Sequence, residues 1–320
     1  MRAALVFLAF LAACSSSSSG PPNPPPPPLF YVTNTGSSTI AAYAVGDTGN
    51  VAPSLTISGT NTGLDQPEGI VLDPAGVVLV TSANPARILV FAANTVGDAA
   101  PIASIVGANT GLSQPRGLAL DASGRLYVAN AGTNSILIFA RGASGNVAPV
   151  GTIAGGNTIL SGPASLVFDL RGRLYVANAG GNSITIYDAG AAGNIRPTDT
   201  IAGGNTRLNA PLGITLDPGG RLYVANSGTA PSNSSITVYA ATAKGNVAPI
   251  DTITGANTGL DQPQGIGLDA AGRMYVVRSA FTSHQYRITV YGPGSNGDVV
   301  PAATIAGSNT GLTAPSRLSF

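Results

Sequence analysis

The chain contains no tryptophan, one cysteine, one histidine and one glutamate. A single cysteine leaves no partner for an internal disulfide, so the folded part must hold by burial and hydrogen bonding alone. Charged residues make up only 9%, with a formal net charge of +1. That balance offers no electrostatic footprint for nucleic acid, and such a partner is set aside. No HExxH, CxxC, GxSxG or Walker-type run occurs, which removes the metalloprotease, dithiol, serine-hydrolase and P-loop chemistries those spacings serve. No long apolar run follows the first fourteen residues, and no segment keeps a helical period.

The N-terminus reads apart from the rest. Met1 and Arg2 precede an apolar run from Ala3 to Ala13, too short to span a bilayer and suited to a secretory signal over residues 1–13. Leu11-Ala12-Ala13-Cys14 resembles the lipobox of bacterial lipoproteins. The resemblance implies cleavage before Cys14, acylation of its sulfur and of its new amino group, and an anchor that holds the chain at a membrane without crossing it. An ordinary signal with an incidental cysteine is the alternative. Ser15 in place of Asp resembles lipoproteins sent to an outer membrane, which gives an expected address in a bacterial cell envelope. Residues 15–28, serines followed by a proline run, read as a tether with a stiff polyproline portion.

What is abundant is glycine, 42 residues, and a phrase. GRLYVANAG occupies residues 124–132 and 172–180, and GRLYVANSG occupies 220–228. Aligned on it, second-strand starts fall at Phe30, Val78, Leu126, Leu174, Leu222 and Met274, spaced by 48, 48, 48, 48 and 52 residues. A Gly-Asn/Asp-x-x-Pro marker begins at Gly49, Gly97, Gly145, Gly193, Gly245 and Gly297, and an Asn-Thr marker recurs from Asn61 to Asn309. Each unit holds four short runs of strand-forming residues, such as 117–121, 126–130, 135–139 and 150–154, separated by turn residues. The fold class is therefore all-β, a six-bladed β-propeller with four antiparallel strands per blade over residues 29–320. Residues 29–61 lack a first strand, and 316–320 supply one without a successor, so the C-terminal strand is expected to close the ring beside the N-terminal three.

Pro-x-Gly-hydrophobic-x-Leu-Asp, Gly-Arg-Leu-Tyr-Val-Ala-Asn and Asn-Ser-Ile-x-Ile-Tyr/Phe together resemble the NHL-repeat propellers. The resemblance implies a fold that serves in ligand-binding modules, sensor domains, lyases and lactonases, and so does not choose the function.

Strand order sorts residues onto two faces. Loops entering first strands and those joining second to third strands share a top face; the Asp-x-x-Gly turns and Gly-Asn-x-x-Pro loops are expected at the bottom, where the tether enters. Residues present in every blade are most economically structural. Asp73, Asp121, Asp169, Asp217 and Asp269 each stand alone in a turn and read as turn caps, without the clustered carboxylates of a calcium site. Asn34, Asn130, Asn178 and Asn226 end second strands, where an amide can satisfy hairpin backbone or, from the top face, meet a ligand.

Singletons point further. The variable position of Pro-x-Gly reads Glu68, Arg116, Ala164, Leu212, Gln264 and Ser316 around the channel. Blades five and six carry four-residue insertions on top, and the sixth, residues 278–287, gathers Arg278, Phe281, His284, Tyr286 and Arg287. Aromatic and arginine residues grouped on a loop suit recognition, although a solvated, drifted hairpin has the same composition. Glu68, Arg116, Gln264, Arg278, Phe281, His284, Tyr286 and Arg287 are thus candidates for a binding face that takes a protein, peptide or glycan, on a monomer held at the membrane through Cys14. The absence of tryptophan counts against a glycan. No cofactor or metal is expected. A calcium site from Glu68, Asn130 and Asn178 is the arrangement that would favour a lyase- or lactonase-like enzyme, and an envelope scaffold using the outer rim is the third reading.

Overall fold

The structure, a computed structural model, describes residues 27–228, 233–279 and 285–320. The strands form six four-stranded antiparallel sheets, each a blade of a propeller. Blade three shows the unit: β8 (Pro115–Leu120) lines the channel, followed outward by β9 (Leu126–Asn130), β10 (Ser135–Phe139) and β11 (Gly151–Ile153). Tyr, Val, Ile and Leu alternate along the middle strands, and both faces are buried because each blade packs between two others. Six apolar clusters fill the six gaps between neighbouring blades. Between blades three and four, for instance, Tyr127 and Ile138 meet Leu174 and Val176. Each large aliphatic side chain fully buried there contributes roughly 1.5–3 kcal/mol.

The ring closes as expected. Blade one has the order β24, β1, β2, β3, in which β1 (Leu29–Asn34), β2 (Thr39–Ala44) and β3 (Leu55–Ile57) come from the N-terminus and β24 (Pro315–Ser319) from the C-terminus. Val32 faces Leu318, and Phe320 packs its ring 5.5 Å from Phe30 and 5.2 Å from Tyr275. Pro28 accepts a hydrogen bond from the Val45 N–H, so the chain reaches β1 from the bottom.

The repeated polar markers explain the remaining geometry. Asp121 Oδ1 accepts the N–H groups of Ser123 and Arg125 at 2.9 Å each, and Oδ2 takes Arg125 Nε at 2.7 Å. Asp169, Asp217 and Asp269 make the same pair with Arg173, Arg221 and Arg273, whereas Asp73, with Val77 in the arginine position, only caps. The turn reading of these aspartates holds. Burial acts to raise their pKa, but the hydrogen bonds and the arginine charge outweigh it and leave Asp121, Asp169 and Asp217 below the usual carboxylate range.

The Gly-Asn/Asp-x-x-Pro loops depart from expectation. They leave the bottom but do not stay there: each runs along the outer strand of the preceding blade, where Gly97 bridges in parallel to Ile57. The next side chain then accepts the N–H of the Asn-Thr marker, Asp98 from Asn61 at 2.7 Å and Asn146 from Asn109 at 2.8 Å. The two recurrent markers are thus the two halves of one staple between blades. A Cβ at Gly59 would stand 2.3 Å from the Asp98 carboxylate, and its φ of 125° is one only glycine adopts readily, so the staple fixes this glycine twice over.

Candidate functional site

The first strands of all blades converge on the channel, and their Pro-x-Gly positions form a ring at its upper end. Within that ring Glu68 and Arg116 occupy neighbouring blades, and Arg116 Nε lies 3.6 Å from Glu68 Oε2. Both side chains keep 34% of their surface exposed, so the pair faces the top solvent with free acceptor and donor capacity. Gln264 sits across the ring with its amide turned onto the Gln262 carbonyl at 3.4 Å.

The main-chain carbonyls of the same six residues point into the channel, and all are satisfied from within. Thr33 and Thr81 hydroxyls donate to Glu68 O at 2.7 Å and Arg116 O at 3.0 Å. Arg317 supplies the rest: Nη1 donates to Gln264 O at 2.8 Å and Ser316 O at 3.3 Å, and Nη2 to Leu212 O at 3.3 Å and Ala164 O at 3.4 Å. One guanidinium therefore bridges blades one, four, five and six. Burial pushes its pKa down to about 10, against the favourable charge of Glu68. Sequence reasoning missed this residue. Its signal was a break in the repeat, for Arg317 stands where Gly69, Gly117, Gly213 and Gly265 stand elsewhere.

The glycines at that position are required by close approach. A Cβ on Gly69 would lie 2.0 Å from the Arg116 carbonyl oxygen, and one on Gly117 would lie 2.7 Å from Ser165 Cα. First strands crowd around the axis, and the crowding brings the carbonyls within reach of one guanidinium.

The asparagines at the ends of second strands are not ligand groups. Asn34, Asn130, Asn178 and Asn226 are fully buried. Each amide oxygen accepts a main-chain N–H from the loop entering its own blade: Thr313 and Ser113 for the first two, Ser161 and Asn209 for the others. The expectation that the amide satisfies hairpin backbone holds at Asn178 and Asn226, whose Nδ2 groups donate to the Val176 and Val224 carbonyls at 3.3 and 3.5 Å, and the bond to the entering loop is a further tie. Nor does the proposed calcium set fit an ion. Glu68 is engaged by Arg116, the oxygens of Asn130 and Asn178 are spent on backbone, and Arg317 holds a positive charge in the carbonyl ring. Among the described residues, no three His, Cys, Asp or Glu side chains gather.

The second candidate group lies in blade six. Arg278, in the asparagine position, is buried and pairs with Asp261 at 2.6 Å, replacing the amide-to-backbone contact by an ion pair at the same place in the fold. This makes it a positioning residue rather than an open ligand contact. Arg287 is half-buried and donates to Gln285 at 2.8 Å; burial first, then the charge of Arg278, lowers its pKa. Tyr286 packs against the cluster between blades six and one. Phe281 and His284 lie outside the described residues, as does Cys14. The structure thus gathers Glu68, Arg116 and Gln264 on one ring, and Arg278, Tyr286 and Arg287 at the top of blade six.

A family profile described as the NHL repeat matches residues 112–139, the end of a connector and the first three strands of blade three. No curated protein matches the chain in sequence. Solved structures do match in shape. A protein of unknown function from Bacteroides caccae has a TM-score of 0.64 at 9% identity, covering 92% of this chain and 98% of its own. A chain of a nidogen/laminin complex has a TM-score of 0.59 at 15% identity, covering 91% and 97%. A provisionally named 6-phosphogluconolactonase of Bacteroides uniformis has a TM-score of 0.59 at 15% identity, covering 90% and 83%. At such identities the likeness is one of fold: this chain is a six-bladed propeller, similar to the NHL repeat over residues 112–139.

Proposed function

We propose that the protein is an envelope-anchored binding module whose top face, centred on Glu68 and Arg116, recognises a polar protein, peptide or glycan ligand. One observation carries the reading. Arg317 closes the carbonyl ring around the exposed Glu68–Arg116 pair, so a ligand arriving from the top meets a rigid floor bearing one donor and one acceptor of opposite charge. Such a pair selects partners by complementarity rather than by bulk apolar burial. The blade-six hairpin, with Arg287 and Tyr286 at its described end, supplies the flank. The lipobox-like run Leu11–Cys14 and entry of the chain from the bottom at Pro28 together support an orientation with this face outward, in an outer membrane.

The test is binding to peptide and glycan arrays by the wild type and by the Glu68→Gln/Arg116→Ala double variant. The expected result is a defined set of ligands that the double variant loses, while Lys244→Ala, placed on the bottom near Asp199, keeps them. Retention of every ligand by the double variant would move recognition to the rim, as a scaffold requires. Mass spectrometry of the mature protein checks the anchor separately, by the presence of acyl chains on residue 14.

A further inference from the structure

A groove of about 800 Å³ crosses the bottom face under blades four, five and six. The Asp-x-x-Gly turns of those blades and the loop after the third strand of blade five enclose it. Its exposed lining is largely aliphatic: Leu170, Pro218, Ala241 and Ala270 face solvent, and Leu216 and Leu268 are half-buried. Leu170 is 93% exposed at the tip of the blade-four turn, where the other four turns carry Pro74, Ala122, Pro218 and Ala270. Arg171 follows it, in the place of Ala75, Ser123, Gly219 and Ala271. The repeat is thus broken at two successive exposed positions, first by a large apolar residue and then by a cation. The charges of the groove are unequally committed. Asp169, Asp217 and Asp269 are each held by the arginine four residues on. Arg171 makes no ion pair among the described residues, and Lys244, with 72% of its side chain exposed, lies 3.9 Å from Asp199. Asp188, in the neighbouring bottom loop of blade four, lies outside the lining. The groove therefore sets accessible positive charge beside apolar surface.

The chain enters the ring at Pro28 from this same side, at blade one. In a ring of six, blade four stands opposite blade one. Fully extended, residues 15–28 reach about 50 Å at most, which keeps the bottom face within that distance of a bilayer holding residue 14. One tether on one blade leaves the ring free to swing. A second contact on the opposite blade would lay the bottom face flat and turn Glu68 and Arg116 outward. A leucine at headgroup depth and two cations against an anionic surface attach a free protein only weakly. A short tether raises the local concentration to about the millimolar range, where such a contact is occupied. We infer that the bottom groove docks on a bilayer surface bearing anionic headgroups, with Leu170 entering the headgroup region and Arg171 and Lys244 facing its phosphates. This rests on the reading of the chain as anchored at residue 14, and it adds the orientation that an anchor alone does not set. A soluble anion would leave Leu170 in water, and a second copy of the chain in a two-fold contact would oppose Arg171 to itself.

The chain has no tryptophan and one cysteine, which gives a direct test. The mature chain from Cys14 is coupled through that thiol to a maleimide lipid in vesicles, so that tethering does not depend on natural acylation. Ala270→Trp places a sole indole on the groove with Leu170 intact, and Ser37→Trp places one on the top face as the control. In vesicles containing phosphatidylglycerol, emission from Ala270→Trp should shift to the blue and be quenched by brominated lipid, and that from Ser37→Trp should do neither. Pure phosphatidylcholine vesicles should remove the effect, as should Leu170→Ser/Arg171→Glu/Lys244→Glu in the Ala270→Trp chain. Should Ala270→Trp fail to fold, Leu170→Trp at the exposed turn tip gives the same reading. No quenching at the groove, equal quenching at top and bottom, equal quenching in phosphatidylcholine, or quenching that survives the triple substitution each overturns the inference. A natural protein without acyl chains on residue 14, with groove quenching intact in the coupled chain, overturns the anchor and leaves the docking surface standing.

Discussion

The main-chain N–H of Asn309 donates to Asn50 Oδ1 at 2.8 Å, joining residues 259 apart in sequence. The same staple joins Asn109 to Asn146 at 2.8 Å over 37 residues, within a continuous stretch of chain. The two contacts are chemically alike, but only the first spans a junction with no peptide link. Asn50→Ala and Asn146→Ala should each cost about 1 kcal/mol in global stability, the typical worth of one such bond. They should differ in local opening. A broken staple inside the chain re-forms at the high effective concentration its connector imposes, whereas the seam between β24 and β1 within blade one has only noncovalent ties. Hydrogen exchange of amides in 315–319 should therefore speed up in Asn50→Ala and stay unchanged in Asn146→Ala. Equal exchange in both variants would show that β24 and the apolar cluster beneath it hold the junction unaided.

Arg317 ties β24 to the far side of the ring. Its fork reaches carbonyls of four blades, which a point charge on a flexible stem does not do. Arg317→Lys keeps the cost of burying a charge and, with three donors, loses at least one of the four bonds. Arg317→Gly loses all four but removes the buried charge, and the freed carbonyls face a cavity that admits water. The lysine variant should be destabilised by about 1–3 kcal/mol and melt below the glycine variant. A lysine variant as stable as the wild type would mean that charge alone, and not the planar fork, closes the ring.

These two ties differ in how readable they were. The ring, its closure and the turn aspartates follow from the repeat itself, because a phrase that returns every 48 residues places equivalent residues at equivalent points of successive blades. The same spacing contains the Glu68–Arg116 pair, one repeat apart in the same ring position. Arg317 was hidden because its partners are carbonyls, and main-chain groups carry no residue signature; only the loss of a glycine marked the site. Asn130 was placed at the correct strand end but given the wrong partner. Period fixes where a side chain begins, not which loop folds back onto it, and the main-chain N–H it binds lies 17 residues upstream. Arg278 looked like a ligand contact for a related reason: its partner Asp261 lies the same 17 residues upstream, in a loop whose course the period does not set.

Buried tyrosines set the alkaline limit of the fold. Tyr291 donates to the Thr258 carbonyl at 2.5 Å, and burial pushes its pKa, like that of Tyr239, up to about 12. A phenol whose folded pKa exceeds its unfolded one lends stability below pH 10, and that stability is lost as pH rises toward 12. Each such tyrosine should cost about 1.4 kcal/mol per pH unit across that window. Phe91 and Phe139 fill the equivalent position in blades two and three, so the site accepts the ring without its hydroxyl. Tyr291→Phe should therefore lose about 0.5–1.5 kcal/mol at pH 7 and unfold less steeply with pH above 10. Urea titrations at pH 7, 10 and 11 read both effects; an unchanged alkaline slope would sink the assignment.

At the acid end the turn aspartates should dominate. Asp121, Asp169 and Asp217 have folded pKa values below the unfolded range: burial opposes the shift, and the arginine and main-chain hydrogen bonds overcome it. For a depressed carboxylate the contribution is complete above the unfolded pKa, near pH 4, and disappears as pH falls through the folded value. Stability should thus decline below about pH 4 in the wild type. Asp169→Asn keeps one acceptor for the Arg171 and Arg173 N–H groups but leaves the Arg173 guanidinium without its carboxylate. That variant should lose about 1 kcal/mol at pH 7 and less at pH 3, below the unfolded carboxylate pKa, where part of the wild-type advantage is already gone. Asp73→Asn supplies the comparison, since Val77 replaces the arginine there and no ion pair exists to lose. Its cost should be smaller than that of Asp169→Asn at pH 7. If the two substitutions cost the same, the arginine contributes nothing, and the turn is held by main-chain capping alone.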